Sequence, residues 1–123
     1  MRKISVSTKE LTIAVNGYRS EEILRLCLQS IYREMAGSGI DYEVLVTDSA
    51  TLEPTEMLMR EEFPQARFFP FKENVGFKTL VNTSIQEARG EYVFLINSDI
   101  LLSPGAVPEM LRYLKSHPEI GIL

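Results

Sequence analysis

Tryptophan is absent from this sequence, and cysteine and histidine occur once each. The single Cys27 excludes an intrachain disulfide and leaves no cysteine cluster for zinc. No apolar run approaches the roughly 20 residues that cross a bilayer, and the amino terminus lacks the apolar stretch of a signal peptide. An excess of positive charge is missing too. The formal net charge is −4, which argues against a surface built to neutralise a nucleic-acid backbone. The two commonest phosphate-cradling signatures, G-x-G-x-x-G after a first strand and G-x-x-x-x-G-K-[ST], do not occur, so dinucleotide and P-loop readings lose most of their weight. Together these absences predict a cytoplasmic protein with no transmembrane segment and no nucleic-acid partner.

What is present is the composition of one globular domain: 123 residues, 45% apolar and 24% charged. A polar amino-terminal extension covers residues 1–10. Leu11–Asn16 then reads as a short apolar strand. Ile23, Leu24, Cys27, Leu28, Ile31 and Met35 recur at helical spacing over Glu21–Met35, with Ser20 as the expected N-cap. After Gly37-Ser38-Gly39 comes a β-rich run, Tyr42–Thr47. A short helix carrying Met57, Leu58 and Phe63 is stopped by Pro64, and Arg67-Phe68-Phe69 follows as a brief strand that Pro70 assigns to an edge. Phe77, Leu80, Val81, Ser84, Ile85 and Ala88 mark a helix ending at Gly90. Tyr92–Ile96 is continuously apolar, as in a strand covered on both faces. Ser103-Pro104 resembles an N-cap with proline at the first helical position, and the last helix ends near His117-Pro118. Ile120–Leu123 would begin a further strand. Strands and helices that alternate at this spacing predict an α/β, Rossmann-like fold with a mainly parallel sheet flanked by helices, whose ligands bind at the carboxyl ends of the strands.

Polar residues collect at those ends: Asn16-Gly17-Tyr18, Asp48-Ser49, Asn74-Val75-Gly76-Phe77 and Asn97-Ser98-Asp99. A carboxylate there can accept hydrogen bonds from a base or ribose, and one beside an amide oxygen can hold a hard divalent cation. The order Asn16–Glu22, Tyr42–Thr51, Glu73–Phe77, Ala88–Tyr92 and Leu95–Asp99 resembles the first half of the inverting, GT-A-fold family 2 glycosyltransferases over roughly residues 11–123. The resemblance implies a truncated nucleotide-sugar-binding domain. In it Asp48 would hold the nucleobase, with Asn16, Gly17 and Tyr18 in the loop beside it and Asn74 and Gly76 leading a nucleotide-facing helix. Lys78 and Asn82 would face the same pocket. Asn97 and Asp99 would match a D-x-D-like diphosphate site, with Asp99 the ligand of Mg2+ or Mn2+. The implied donor is UDP- or dTDP-linked, and the acceptor a saccharide or a lipid-linked one, which would bring the full-length protein to the membrane periphery.

Two departures bear on this: Asn97 stands where many relatives have aspartate, and Arg19 where many have asparagine. The acidic general base of the family's second half is not in the sequence, so no catalytic residue is assigned and the chain alone is expected to be inactive. Each residue also has a plain structural reading. Asp48 and Asp99 are ordinary turn formers, Lys78 suits a solvated helix start, Cys27 falls on an apolar stripe, and His117 suits a helix carboxyl end. A different class of function, a non-catalytic binding or assembly module, would have Ile120–Leu123 pair edge to edge in a homodimer. A sugar nucleotidyltransferase is disfavoured because no glycine-rich basic loop follows the first strand.

Overall fold

The structure is a computed structural model that describes residues 8–123. Of the expected polar extension, residues 1–7 lie outside the described residues. Lys9 and Glu10 do not belong to an extension: they open the first strand, where Lys9 is in register with Gly90. The elements in chain order are β1 (Lys9–Tyr18), α1 (Glu21–Met35), β2 (Tyr42–Ser49), α2 (Glu53–Glu61), β3 (Arg67–Pro70), α3 (Gly76–Glu87), β4 (Gly90–Asn97) and α4 (Ala106–Ser116).

The four strands form one parallel sheet in the order β3-β2-β1-β4. The chain runs outward from β1 through β2 to β3 and then returns across the sheet to β4. The order therefore reverses between β1 and β4, and the strand ends there leave a crevice. Strand periodicity divides the core. Ile13, Val15, Val44 and Val46 pack with Leu24, Leu28 and Ile31 of α1, Leu58 and Met59 of α2, and Val107 and Leu111 of α4. Ala14, Leu45, Val93 and Ala88 form a smaller cluster on the other face, which α3 covers. A fully buried aliphatic side chain contributes about 1.5–3 kcal/mol, so the first face dominates stability.

The amino-terminal ends of the strands are tied by one polar network. Glu43 Oε1 accepts from Thr12 Oγ1 at 2.7 Å and from the Arg89 N–H at 2.7 Å. Thr12 Oγ1 itself accepts from the Gly90 N–H at 2.8 Å. Arg67 reaches Glu43 Oε2 at 3.3 Å and the Glu87 carbonyl at 2.6 Å. All four strands and the end of α3 thus meet around a largely buried carboxylate.

Several boundaries differ from expectation. Ser103-Pro104 does not start the last helix. Gly105 adopts φ 76°, the Ala106 N–H closes a turn onto the Ser103 carbonyl, and α4 begins at Ala106. Ser20 occupies the N-cap position of α1 but makes no side-chain capping bond. Phe63 is buried beyond the end of α2 rather than within it. Ile120–Leu123 is not a strand: the Ile120 N–H bonds back to the His117 carbonyl in a turn, and Ile122 and Leu123 are exposed beside a groove between β4 and α4. Apolar content without a ladder partner does not make a strand, and the expected edge-paired homodimer loses its pairing element.

Candidate functional site

β1 and β2 run further than their apolar cores, so that Asn16, Gly17 and Tyr18, and Asp48 and Ser49, lie within strands rather than after them. The extra residues carry both strands to the crevice, with Gly17 in register with Asp48 and Asn16 with Asn97. Each extended strand then turns through a non-glycine residue in the left-handed region, Arg19 at φ 48° and Ala50 at φ 51°. Such conformations cost of order 1–3 kcal/mol and persist where the surroundings impose them. Around Ala50 the surroundings are visible: its N–H donates to the Glu73 carbonyl at 3.0 Å, and the Phe71 N–H donates to the Asp48 carbonyl at 2.9 Å.

The hollow at the crevice has a volume of about 430 Å³. Asn16, Gly17 and Tyr18 meet there with Asn74 and Gly76, and with Asn97 and Asp99. Asp48 lies beside this group, almost fully buried at 1% exposure, its carboxylate against Gly17. Its Oδ2 has no hydrogen-bond partner among the described residues, and burial pushes its pKa up from the ordinary aspartate range. Asn16 is also buried. Its Nδ2 donates to Thr47 Oγ1 at 2.6 Å and Ser84 Oγ at 3.0 Å, while its Oδ1 has no partner among the described residues.

The wall opposite β1 is the start of α3. Gly76, at φ 80°, lets the chain turn into the helix. Ser49 Oγ accepts from the Val75 N–H at 2.9 Å and donates to Asn74 Oδ1 at 3.1 Å, and Asn74 Oδ1 also takes the Gly76 N–H at 3.2 Å. The end of β2 therefore fixes the entry to α3. Gly76, Phe77 and Leu80 line the hollow, and Ser84 holds Asn16 from the same helix face. At 100° per residue, positions 78 and 82 fall on the far side of that face. The structure accordingly does not bring Lys78 and Asn82 to the hollow; both are exposed and away from it.

Phe77, expected at the strand-end rim with Asn74 and Gly76, is 61% exposed there and lines the hollow. Tyr18 stands on the β1 side, with the Arg19 guanidinium 5.5 Å from its ring centroid. Ser49 and Ser98, expected at the strand ends, also line the hollow, and so do Ser20 and Ile23, which the sequence assigned only to α1 and its cap. Ile23 carries no distinguishing signal in the sequence, because it reads as one more apolar position of α1.

Asp99 is the one carboxylate among the described lining residues, and Asn97 and Asp99 are both exposed at the carboxyl end of β4. Among the described residues no three His, Cys, Asp or Glu side chains cluster to hold a metal. The donor set is hard, a carboxylate with an amide oxygen near it in sequence, which suits Mg2+ or Mn2+ only where phosphate oxygens and water complete the coordination. No helix among the described residues is long and apolar enough to cross a membrane.

The sequence model of Glycosyl transferase family 2 matches residues 12–123. EpsH of Bacillus subtilis (strain 168), named as a glycosyltransferase, is 30% identical over 110 residues, which cover 87% of this chain and 31% of EpsH. Among solved structures, S. aureus TarS 1–349 in complex with UDP-GlcNAc superposes with a TM-score of 0.76 at 19% identity, covering 89% of this chain and 32% of that fragment. The mannosyltransferase PcManGT of Pyrobaculum calidifontis, in complex with GDP-Man and Mn2+, superposes with a TM-score of 0.71 at 23% identity, covering 93% of this chain and 35% of that one. The chain thus spans about a third or less of the length of the curated relatives it matches.

Proposed function

The chain belongs to glycosyl transferase family 2, and from that premise we propose that it is the domain that binds the nucleoside-diphosphate sugar, with the donor seated in the hollow at the β1/β4 crevice. The observation that carries this reading is the convergence of Asn16, Gly17, Tyr18, Asn74, Gly76, Asn97 and Asp99 on one hollow at the point where the strand order reverses. Its volume of about 430 Å³ lies in the ordinary range for a small-molecule site.

In this reading the donor runs along the strand ends. Asp48, a buried carboxylate whose Oδ2 has no partner among the described residues, accepts a ring N–H of the base, which we read as that of a UDP- or dTDP-linked donor. Tyr18 and Phe77 flank the entrance as ring surfaces for the base. The diphosphate lies over the end of β4, where Asp99, with the Asn97 amide oxygen, would hold a divalent cation. Mg2+ or Mn2+ bound there would neutralise charge on the departing nucleoside diphosphate. TarS with UDP-GlcNAc and PcManGT with GDP-Man and Mn2+ support a nucleotide-sugar ligand and a metal for this fold.

Transfer to a saccharide or lipid-linked acceptor requires a base that deprotonates the attacking hydroxyl. Asp99 is committed to the metal in this reading, and Asp48 is buried away from the rim. We therefore place the base outside residues 8–123 and propose that these residues bind the donor without transferring it. A cytoplasmic protein that meets a lipid-linked acceptor at the membrane surface fits this assignment.

The test is calorimetric titration of UDP and dTDP with and without Mn2+, beside Asp99→Ala. The expected result is binding that strengthens with Mn2+ in the native chain and loses that metal dependence in the variant. Absence of binding by either nucleotide to the folded native chain would overturn the reading.

A further inference from the structure

Asn16 is buried at 5% exposure, yet it lines the hollow and holds an oxygen that nothing among the described residues satisfies. The amide is oriented by its two hydroxyl neighbours. The Ser84 Oγ proton goes to the Leu80 carbonyl at 2.9 Å, and Ser84 Oγ accepts from Asn16 Nδ2 at 3.0 Å. The same Nδ2 contacts Thr47 Oγ1. Both neighbours are engaged by the nitrogen, and Oδ1 is left as an acceptor held rigidly in place. An unsatisfied buried acceptor carries a desolvation penalty, which a bound donor group removes.

The place of Asn16 in the sheet indicates which ligand group that is. The proposed base acceptor, Asp48, lies on β2, and the proposed metal ligand, Asp99, follows β4. β1 is between them, with Asn16 in register with both Thr47 and Asn97. In a nucleoside diphosphate the group between base and diphosphate is the ribose, whose hydrogen-bond donors are its hydroxyls. Resting on the donor-site reading above, we propose that Asn16 is the ribose reader of this site, its Oδ1 accepting a hydrogen bond from a ribose hydroxyl. A reader of the 2′-hydroxyl makes the site select UDP-linked over dTDP-linked donors, because dTDP lacks that group, whereas a reader of the 3′-hydroxyl admits both.

The experiment compares UDP, 2′-deoxy-UDP and 3′-deoxy-UDP by calorimetry on the native chain in Mn2+, on Asn16→Leu, which keeps the volume and removes the acceptor, and on Ser84→Ala, which leaves Oδ1 in place. Circular dichroism reports whether each variant is folded. The native chain should bind one deoxy analogue roughly 3- to 10-fold more weakly than UDP. That ratio should fall to about one in Asn16→Leu and persist in Ser84→Ala. Equal binding of UDP and both analogues by the native chain overturns the assignment without any variant, as does an Asn16→Leu chain that keeps the discrimination. No binding of UDP at all marks failure of the donor-site reading, and the ribose assignment falls with it.

Discussion

Gly17 and Asp48 face each other across the β1–β2 ladder so closely that a Cβ on Gly17 would stand 2.7 Å from Asp48 Oδ1. The glycine here is a matter of space rather than of conformation. Without its bare Cα the carboxylate could not lie against the strand that floors the hollow. Gly17→Ala should displace Asp48 or the Tyr18 turn and weaken UDP binding about 10-fold, with a stability loss of about 1–3 kcal/mol from overpacking. Calorimetry and urea unfolding measure the two separately. An unchanged affinity would detach Asp48 from the ligand.

Asp48 also makes stability depend on pH. Burial raises its pKa above the unfolded value of 3.8, so the folded state holds a proton that the unfolded state has released. The contribution of this group to stability is complete below 3.8 and is lost as pH climbs through the raised value. Asp48→Asn removes the titration. The variant should gain stability relative to the native chain at pH 7 and lose that advantage near pH 3.5, while UDP binding weakens. Urea midpoints at both pH values decide it, and a pH-independent difference would count against a strained carboxylate.

Gly90 is more tightly enclosed than Gly17. A Cβ there would meet the Thr12 nitrogen at 2.4 Å and the Leu11 carbonyl carbon at 2.6 Å, both backbone atoms that cannot swing aside. Gly90→Ala should destabilise by about 3 kcal/mol or more, at the severe end for a single substitution. Chemical denaturation reads this directly.

Glu43→Ala would leave Arg67 without its largely buried partner and the Thr12 hydroxyl and Arg89 N–H without an acceptor. A loss of about 3–5 kcal/mol is expected, typical of breaking a buried pair from one side. The folded fraction should still bind UDP with native affinity, because the network lies at the opposite end of the strands from the hollow. Weakened binding by the folded fraction would show that the two ends are coupled.

Cys27 is fully buried, and its thiol is pushed up to about 12, first by burial and then by the charge of Asp99. It is protonated and enclosed at neutral pH, so iodoacetamide should modify it only as fast as the chain opens. Labelling rates compared with global unfolding rates test this. Rapid modification of the folded chain would contradict the packing of α1.

The alternation of apolar runs made the parallel α/β fold legible, because β1, β2 and β4 are apolar on both faces and α1 carries an unbroken stripe. The polar residues at the strand ends were legible for the same reason: they interrupt those runs where a doubly wound sheet opens. The face of α3 was harder to read. That helix buries only Leu80 and Ser84 fully, so its apolar stripe is too thin to show which side faces the hollow, and the expected pocket positions Lys78 and Asn82 lie on the side away from it. The start of α4 was misread because Ser103-Pro104 has capping chemistry, whereas Gly105 sets the actual entry through its left-handed backbone. Residues 120–123 look like a strand by composition, but strands are defined by their ladders, and a ladder partner is not written in the segment itself.

The Glu43 network and the hollow occupy opposite termini of the same four strands, and this separation bears on how such a domain can diverge. Residues that clamp the sheet do not line the hollow, and most of those that do are exposed and cheap to replace. A lineage that keeps Glu43, Arg67, Thr12 and Gly90 is free to sample new side chains at Tyr18, Arg19, Phe77 and Asn97, and so to acquire a new donor, without first having to relearn how to fold.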